Sequence, residues 1–423
     1  MSQEPHAIDD GAGAWAGGPP RWAPGYARAS GDRAPIPFRF RARPEDFVVE
    51  ELAESTERPD PAGTHVWFTV EKRDVSTPEA ARRIARALGR PPADVAFAGR
   101  KDAVAVTRQR MSIEHVEIDA LLALEVDGVR VRDPLRCRRR IRLGQTRGNR
   151  FHLCLTGVAE PDRARLDDAL AVLGRDGFPN YYGAQRFGSD THGLDVARAL
   201  VLGEPVEYLE LLVQRAPTRA REASRELLRR IRSGTASEKR RASELRARLD
   251  DDLRPVAERL ARRRPKDPLD LVRAVPKRTR SFHLAILQAL VFNRVLAERV
   301  RAGTSAKVLE GDVVRSPEGR HRVAGAGGAD GAPTGPLWAA EGLAAEGEPG
   351  RIEREALAAE GLAPEDLRAP GGLDPRGARR VLMAPAEHVE VGPWKDGAVW
   401  IAFDLPVGSY ATVALAELSG SLV

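Results

Sequence analysis

The sequence predicts an α+β fold in which a mixed-sheet domain is interrupted by a mainly helical insertion. Strand-forming segments occur near both ends of the chain, and a long, highly charged block between them carries helical periodicity. The length of 423 residues sets two or three domains with ample material for a packed core. No internal repeat at a fixed period divides the chain.

Residues 1 to about 35 are rich in Gly, Ala and Pro without periodicity and read as a mobile tail, with order expected from Ile36. Phe38-Arg39-Phe40-Arg41 alternates as a strand does. Pro44-Glu45-Asp46 turns the chain, and Phe47 to Glu51 returns as a second strand. His65 to Lys72 is a third. Thr77 is a suitable N-cap for a helix with Pro78 in its first turn and Gly89 at its end. Ala96-Phe97-Ala98 is a short apolar strand that runs into Gly99-Arg100-Lys101-Asp102, and Val104 to Ile113 continues extended or as a short turn. Arg150 to Thr156 reads as a strand and Arg163 to Leu173 as a helix. Residues 201–301 read as helical, most clearly Ser281 to Arg301, whose apolar positions recur every three or four residues. Ala324 to Gly372 is Gly-, Ala- and Pro-rich with one acidic helical segment, and Ala398 to Leu405 returns to a strand closed by Pro406-Val407-Gly408.

Composition narrows the function classes. Hydrophobic residues are 42% and charged residues 30% of the chain, as expected of a soluble globular protein. No apolar run reaches the length of a membrane span, and the N-terminus lacks the apolar region of a secretory signal, so a cytoplasmic protein without membrane contact is expected. Two cysteines, Cys137 and Cys154, and scattered histidines make neither a disulfide framework nor a metal site. The formal charge is only +6, but its distribution is uneven. Arg132 to Arg150 holds eight arginines and one acid, and Arg215 to Arg264 holds 17 basic and 8 acidic residues. Clustered positive charge is an electrostatic footprint for a polyanion, although a solvated helix face in an arginine-rich chain accounts equally well for the second stretch.

Three segments carry candidate chemistry. In Phe97-Ala-Gly-Arg-Lys101-Asp102-Ala-Val-Ala-Val-Thr107-Arg-Gln109 a strand enters a glycine turn bearing a cation beside a carboxylate. A neighbouring cation favours the ionised carboxylate, which then serves as nucleophile or base. In Phe178 to Gly188, four aromatics in eleven residues are interleaved with Asn180, Gln185 and Arg186. Rings stack on unpaired bases, amides read base edges, and a guanidinium meets phosphate bidentately. Leu405 to Val413 exposes Ser409, Tyr410 and Thr412 around a Pro–Gly turn. No nucleotide-binding glycine loop and no hydrolase elbow is present.

Together and in this order the three segments resemble the TruD family of pseudouridine synthases. Gly99-x-Lys101-Asp102-x-x-Ala105-x-Thr107-x-Gln109 is similar to the family's active-site motif, Asn180-Tyr-Tyr182-Gly-x-Gln185-Arg186-Phe-Gly188 to its second motif, and Leu405-Pro-x-Gly-Ser-Tyr-Ala-Thr412 to its C-terminal motif. Pro44-x-Asp46-Phe47-x-Val49-x-Glu51, Phe292-Asn293, Gly311-Asp312 and Thr334 to Leu337 add to the resemblance, which spans about Phe38 to Leu418.

The resemblance implies a mixed-sheet pseudouridine synthase catalytic domain, formed by residues 36–200 and 377–423, interrupted by a TruD-type insertion domain over 201–376. It implies Asp102 as the catalytic carboxylate, with Lys101, Asn180, Tyr182, Gln185 and Arg186 binding substrate. Tyr182 stands where the family often has Phe, and Arg100 where it often has an apolar residue. The implied reaction converts a uridine of tRNA to pseudouridine, at position 13 near the D-arm, with no cofactor, no metal, no protein partner and a monomeric enzyme. Two other classes are open on the residues alone: a non-catalytic RNA-binding protein on the same fold, and a carboxylate hydrolase that would need a second acid such as Glu50.

Overall fold

The structure, a computed structural model, describes residues 20–54, 58–188, 192–233, 241–262 and 267–420. The first strands are β1 (Phe47–Ala53) and β2 (His65–Arg73), followed by helix α1 (Thr77–Ala87). The α1 cap is Ser76, one residue earlier than the sequence suggests, because its hydroxyl accepts from the Glu79 N–H. Thr77 has other work, described below. Next come β3 (Ala96–Phe97), β4 (Val106–Glu114), α2 (Ile118–Leu122), β5 (Val129–Cys137), β6 (Thr146–Thr156), α3 (Arg163–Asp176) and β7 (Phe178–Pro179).

A helical lobe follows: α4 (His192–Val201), α5 (Pro205–Gln214), α6 (Arg221–Ser233), α7 (Arg254–Arg262), α8 (Leu269–Ala274) and the start of α9 (Lys277–Arg301). The chain then forms β8 (Val313–Arg315), β9 (His321–Val323), β10 (Ala332–Leu337), α10 (Gly347–Ala358), β11 (Ala378–Val381), β12 (Met383–Ala384), β13 (Glu387–Val391), β14 (Ala398–Pro406) and α11 (Ala411–Ser419).

The main sheet runs β13-β14-β6-β1-β4-β2-β5, with β3 pairing on β4. Among the described residues only β1 and β4 are parallel in it; every other neighbour is antiparallel. The sheet is therefore mixed, as expected. One register row crosses five strands through Lys72, Thr107, Val49, Phe151 and Phe403. Because side chains alternate, this row and the next, with Val70 and Gln109 on one side and Glu51, Asn149 and Leu405 on the other, share one face. Two apolar cores cover that face. Over β2 and β4, Val66, Phe68, Val70, Met111 and Ile113 pack on Ile84 and Ala85 of α1. Over β1, β6 and β14, Phe47, Phe151 and Phe403 pack with residues of α3, α9 and α11. Between the two cores the face turns polar yet stays buried, at Lys72, Thr107, Gln109 and the Glu51 side chain. That polar seam positions the candidate site.

The helical lobe has its own core, including Tyr208, Leu227, Leu245, Val256 and Leu271. Helix α4 serves both lobes: Leu194, Ala197 and Val201 face the sheet core, and Val196, Ala199 and Leu200 face the helical one. Residues 313–381, of which Ala324 to Gly372 read from sequence as Gly-, Ala- and Pro-rich with one acidic helical segment, contain a four-stranded sheet in the order β11-β10-β8-β9 as well as the acidic helix α10.

Two expectations near the N-terminus change. Phe38 to Arg41 forms no strand; Arg39 makes a single bridge to Thr156. Within residues 20–35, expected in the tail, the part from Trp22 to Arg28 is packed: Trp22 is 5% exposed and stacks on Phe187 with ring centroids 5.6 Å apart, while residues 31–35 are exposed. A lone Trp in a Gly/Pro-rich context shows no periodicity, so sequence pattern does not reveal such docking. Cys137 and Cys154 are both buried.

Candidate active site

The turn that carries Asp102 is built from side chains of the polar seam. Gln109 Nε2 donates to the Gly99 carbonyl at 3.0 Å, and its Oε1 accepts from the Thr77 hydroxyl at 2.8 Å. Thr77 Oγ1 in turn accepts from the Lys101 N–H at 2.9 Å. The paired Thr and Gln of the first motif thus do different jobs: Gln109 splints the glycine turn, and Thr107 sits fully buried beneath it in the register row.

Lys101 does not pair with Asp102. Its ammonium reaches Glu51 on β1 at 2.9 Å, and both side chains are almost fully buried. A carboxylate on the adjacent strand and on the same face outcompetes a backbone neighbour whose side chain points elsewhere. The pair fastens the turn to the sheet, and removing one partner would leave a buried charge at a cost of about 3–5 kcal/mol. The cation beside Asp102 is instead Arg41, whose guanidinium binds Asp102 Oδ2 and lies 4.0 Å from the Phe47 ring centroid. Arg41 holds a positive φ of 63°, which ends the extended run from Phe38 and turns its side chain to this place. Asp102 Oδ1 accepts from the Val104 N–H at 3.1 Å. The Asp102 side chain keeps about a third of its surface exposed, at 35%.

Lys72 lies under the same turn and donates from Nζ to the Asp102 carbonyl at 2.7 Å. Burial lowers its pKa to about 8, opposed by the charge of Asp102.

The second motif gathers around the backbone of Tyr182. Asn293 of α9 accepts from the Tyr182 N–H at 2.8 Å and donates to its carbonyl and to that of Trp22, each at 3.0 Å. Asn180 is buried; its amide donates to the Val381 carbonyl at 3.1 Å, and its Oδ1 accepts from Arg380 at 2.6 Å and Ser409 at 3.0 Å. The Tyr182 ring meets Phe292 and Tyr410 edge to face at 5.7 and 6.2 Å. The Arg380 and Arg186 guanidiniums lie 4.2 and 5.1 Å from its centroid. Gln185 is exposed on the following 3-10 turn. Ser409 and Tyr410 link the C-terminal motif to this group. Ala105, just after the Asp102 turn, and Tyr182 belong to the same buried core.

The structure brings Asn180, Tyr182 and Arg186 of the second motif together with Ser409 and Tyr410 of the C-terminal motif. The sequence did not point to Arg41, Lys72 or Arg380, and Phe292-Asn293 entered only as part of the resemblance, with no place at the site. Arg41 and Arg380 are two of sixty arginines and carry no distinguishing local pattern. Asn293 had a signal, since an amide inside the apolar run of a long helix needs a partner once buried.

The comparisons bear on the whole chain. A model of the family described as tRNA pseudouridine synthase D (TruD) matches residues 30–418. This chain belongs to the TruD family. A tRNA pseudouridine synthase D of Geobacter metallireducens is 36% identical over 390 residues, covering 88% of this chain and 93% of that one. The Chromohalobacter salexigens protein of the same name is 31% identical over 422 residues, covering 95% and 96%. A crystal structure of a candidate TruD protein from Methanosarcina mazei superposes with a TM-score of 0.68 at 24% identity, over 93% of this chain and 95% of that one. The TruD fold thus accounts for the mixed sheet, the helical lobe and the small second sheet together.

Proposed function

We propose that the protein isomerises a uridine of tRNA to pseudouridine, at position 13, with Asp102 as the catalytic carboxylate. The observation that carries this reading is how the Asp102 turn is held. Lys101, Thr77, Gln109 and Lys72 are all occupied in fixing its backbone, while the carboxylate itself stays partly exposed and held by Arg41. Such an arrangement costs little reorganisation when a nucleoside arrives. The reaction detaches uracil from C1′ of its ribose, rotates it and rejoins it through C5, so no atom is gained or lost. Asp102 either bonds to the nucleoside or takes a proton from its sugar. A folded RNA must first extrude the base, and the aromatic group around Tyr182 and Tyr410, with Asn180 and Arg186, would receive it. Gln185 lies at the rim of that group.

Glu50, the acid a hydrolase would need, faces away. It alternates with Val49 and pairs with Arg108 on the opposite face of the sheet.

The test is pseudouridine mapping by carbodiimide-dependent primer extension on transcribed tRNA. Wild-type protein is expected to produce one stop and Asp102→Asn none, with RNA binding retained. Binding without any stop for wild type would make the protein a binding module instead.

A further inference from the structure

Arg380 on β11 has no ion pair to a carboxylate among the described residues, although it is half-buried within an aromatic group. Its Nε donates to the Asn180 carbonyl at 3.1 Å, and its Nη2 donates to Asn180 Oδ1 at 2.6 Å and the Gly408 carbonyl at 2.9 Å. All three acceptors are neutral. The guanidinium lies 4.2 Å from the Tyr182 ring centroid and 5.5 Å from that of Phe292. Burial lowers its pKa from the ordinary arginine value, and Arg186 nearby adds to the effect. Its side chain also shares a hydrogen bond with the Tyr182 side chain, a neutral group, and no carboxylate among the described residues meets Nη1. Nη1 faces the Gly408 turn, where a Cβ would come within 3.2 Å of it; Gly408 has a φ of +84°, and Val407 beside it is 55% exposed.

Most half-buried arginines in this chain are neutralised: Arg150 by Asp404 and Glu390, Arg294 by Glu360, Arg379 by Glu353. Arg379 is the residue next to Arg380, and its guanidinium points to the other side of β11. A cation whose orientation is fixed by carbonyls, whose charge is left uncompensated and whose free edge meets an open turn is prepared for an anion that the protein itself does not supply. In an RNA every nucleoside is flanked by phosphates. We propose that Arg380 binds a backbone phosphate next to the uridine held at Tyr182, so that residues of β11, the segment after β7 and the C-terminal turn jointly grip one nucleotide. This rests on the reading of the protein as an RNA-modifying enzyme.

The test uses the full chain and a transcribed tRNA on which wild-type protein has first located the modified uridine. Arg380→Met is expected to raise KM about tenfold, the size of one charge-assisted hydrogen bond, with a smaller effect on kcat. It should also lower the slope of log affinity against log salt by about one. Arg380→Lys keeps the charge and should restore the slope. A tRNA carrying a neutral methylphosphonate beside the target uridine should lose about the same tenfold with wild type, and nothing further with Arg380→Met. Thermal midpoints identify a variant that merely fails to fold, in which case the methylphosphonate measured with wild type decides alone. An unchanged salt slope, or an equal methylphosphonate loss in both proteins, would overturn the phosphate contact while leaving the isomerase reading intact. Absence of pseudouridine with wild type would overturn the isomerase reading. A salt slope that still fell in Arg380→Met would then keep the phosphate contact.

Discussion

Lys72 shows how a single residue ties stability to the site. Its unfolded pKa is near 10.5, and burial lowers the folded value to about 8. Between those values the unfolded chain holds a proton that the folded chain has released, so stability rises with pH across that window. The penalty of burying the ammonium is fully present below pH 8 and gone above 10.5. In denaturant titrations, stability of wild type relative to Lys72→Met should therefore increase from pH 8 to pH 10.5. A pH-independent difference would mean that the lysine is charged throughout, or not buried in solution. At this scale the sequence was legible in the glycine turn that carries Asp102, which the structure forms after β3. It was not legible where the partner is chosen by the sheet: Lys101 selects Glu51 because β1 lies parallel to β4, and no local pattern announces that pairing.

At the scale of elements, the two basic stretches separate. In the helical lobe, about half of the described arginines are answered by nearby acids, among them Arg230 and Arg229 with Glu226, Arg246 with Glu258 and Arg259 with Asp270. The β5–β6 connection is different. Arg139 and Arg142 of the connection and Arg147 at the start of β6 are exposed and make no ion pair among the described residues, and Leu143 at the tip of the connection is 81% exposed. The connection is nonetheless pinned: Trp67 Nε1 donates to the Arg139 carbonyl at 2.6 Å, Ile141 N to Ser112 Oγ at 2.9 Å, and Gly144 N to the Ala98 carbonyl at 2.7 Å, one step from the Asp102 turn. Replacing Arg139, Arg142 and Arg147 with Ala should reduce the salt slope of tRNA binding by about two to three with little change in thermal midpoint. An unchanged slope would remove this loop from the RNA surface. The run of arginines was visible in the sequence, but the strand β5 inside it was not, because alternating Arg and Val on a sheet's open face reads as charge before it reads as period two.

The helical lobe offers an acid-sensitive element. His283 of α9 is buried and its Nδ1 lies 3.0 Å from the Tyr208 hydroxyl. Burial lowers its pKa to about 4. Because the unfolded imidazole titrates near 6.5, the folded lobe should lose stability as pH falls from 6.5 to 4, by about 3 kcal/mol in all. His283→Gln should flatten that part of the pH profile, measured by thermal melts followed through far-UV circular dichroism. A profile as steep as that of wild type would place the acid sensitivity elsewhere.

For the molecule as a whole, α9 is the element that joins the parts. Near its start Arg280 donates to the Val275 and Gly371 carbonyls at 2.9 and 2.6 Å, its middle presents Phe292 and Asn293 to the Tyr182 group, and near its end Arg299 forms a buried pair with Asp312. Gly335 of β10 belongs to the same contact, since a Cβ there would come within 3.0 Å of the Phe292 ring. Through Asn293 the helix also ties down the segment at Trp22, which stacks on Phe187 of the second motif. A residue near the start of the chain thus supports an aromatic group assembled from its middle and its end. Trp22→Ala removes a buried ring and should cost about 3–5 kcal/mol of stability. Because Phe187 and Tyr182 share one core, it should also raise KM for tRNA at temperatures where the variant remains folded, with kcat changed less. Measuring both constants below the variant's melting transition separates the effects. A stability loss with KM unchanged would show that the N-terminal segment only closes the core, and that the Tyr182 group keeps its arrangement without it.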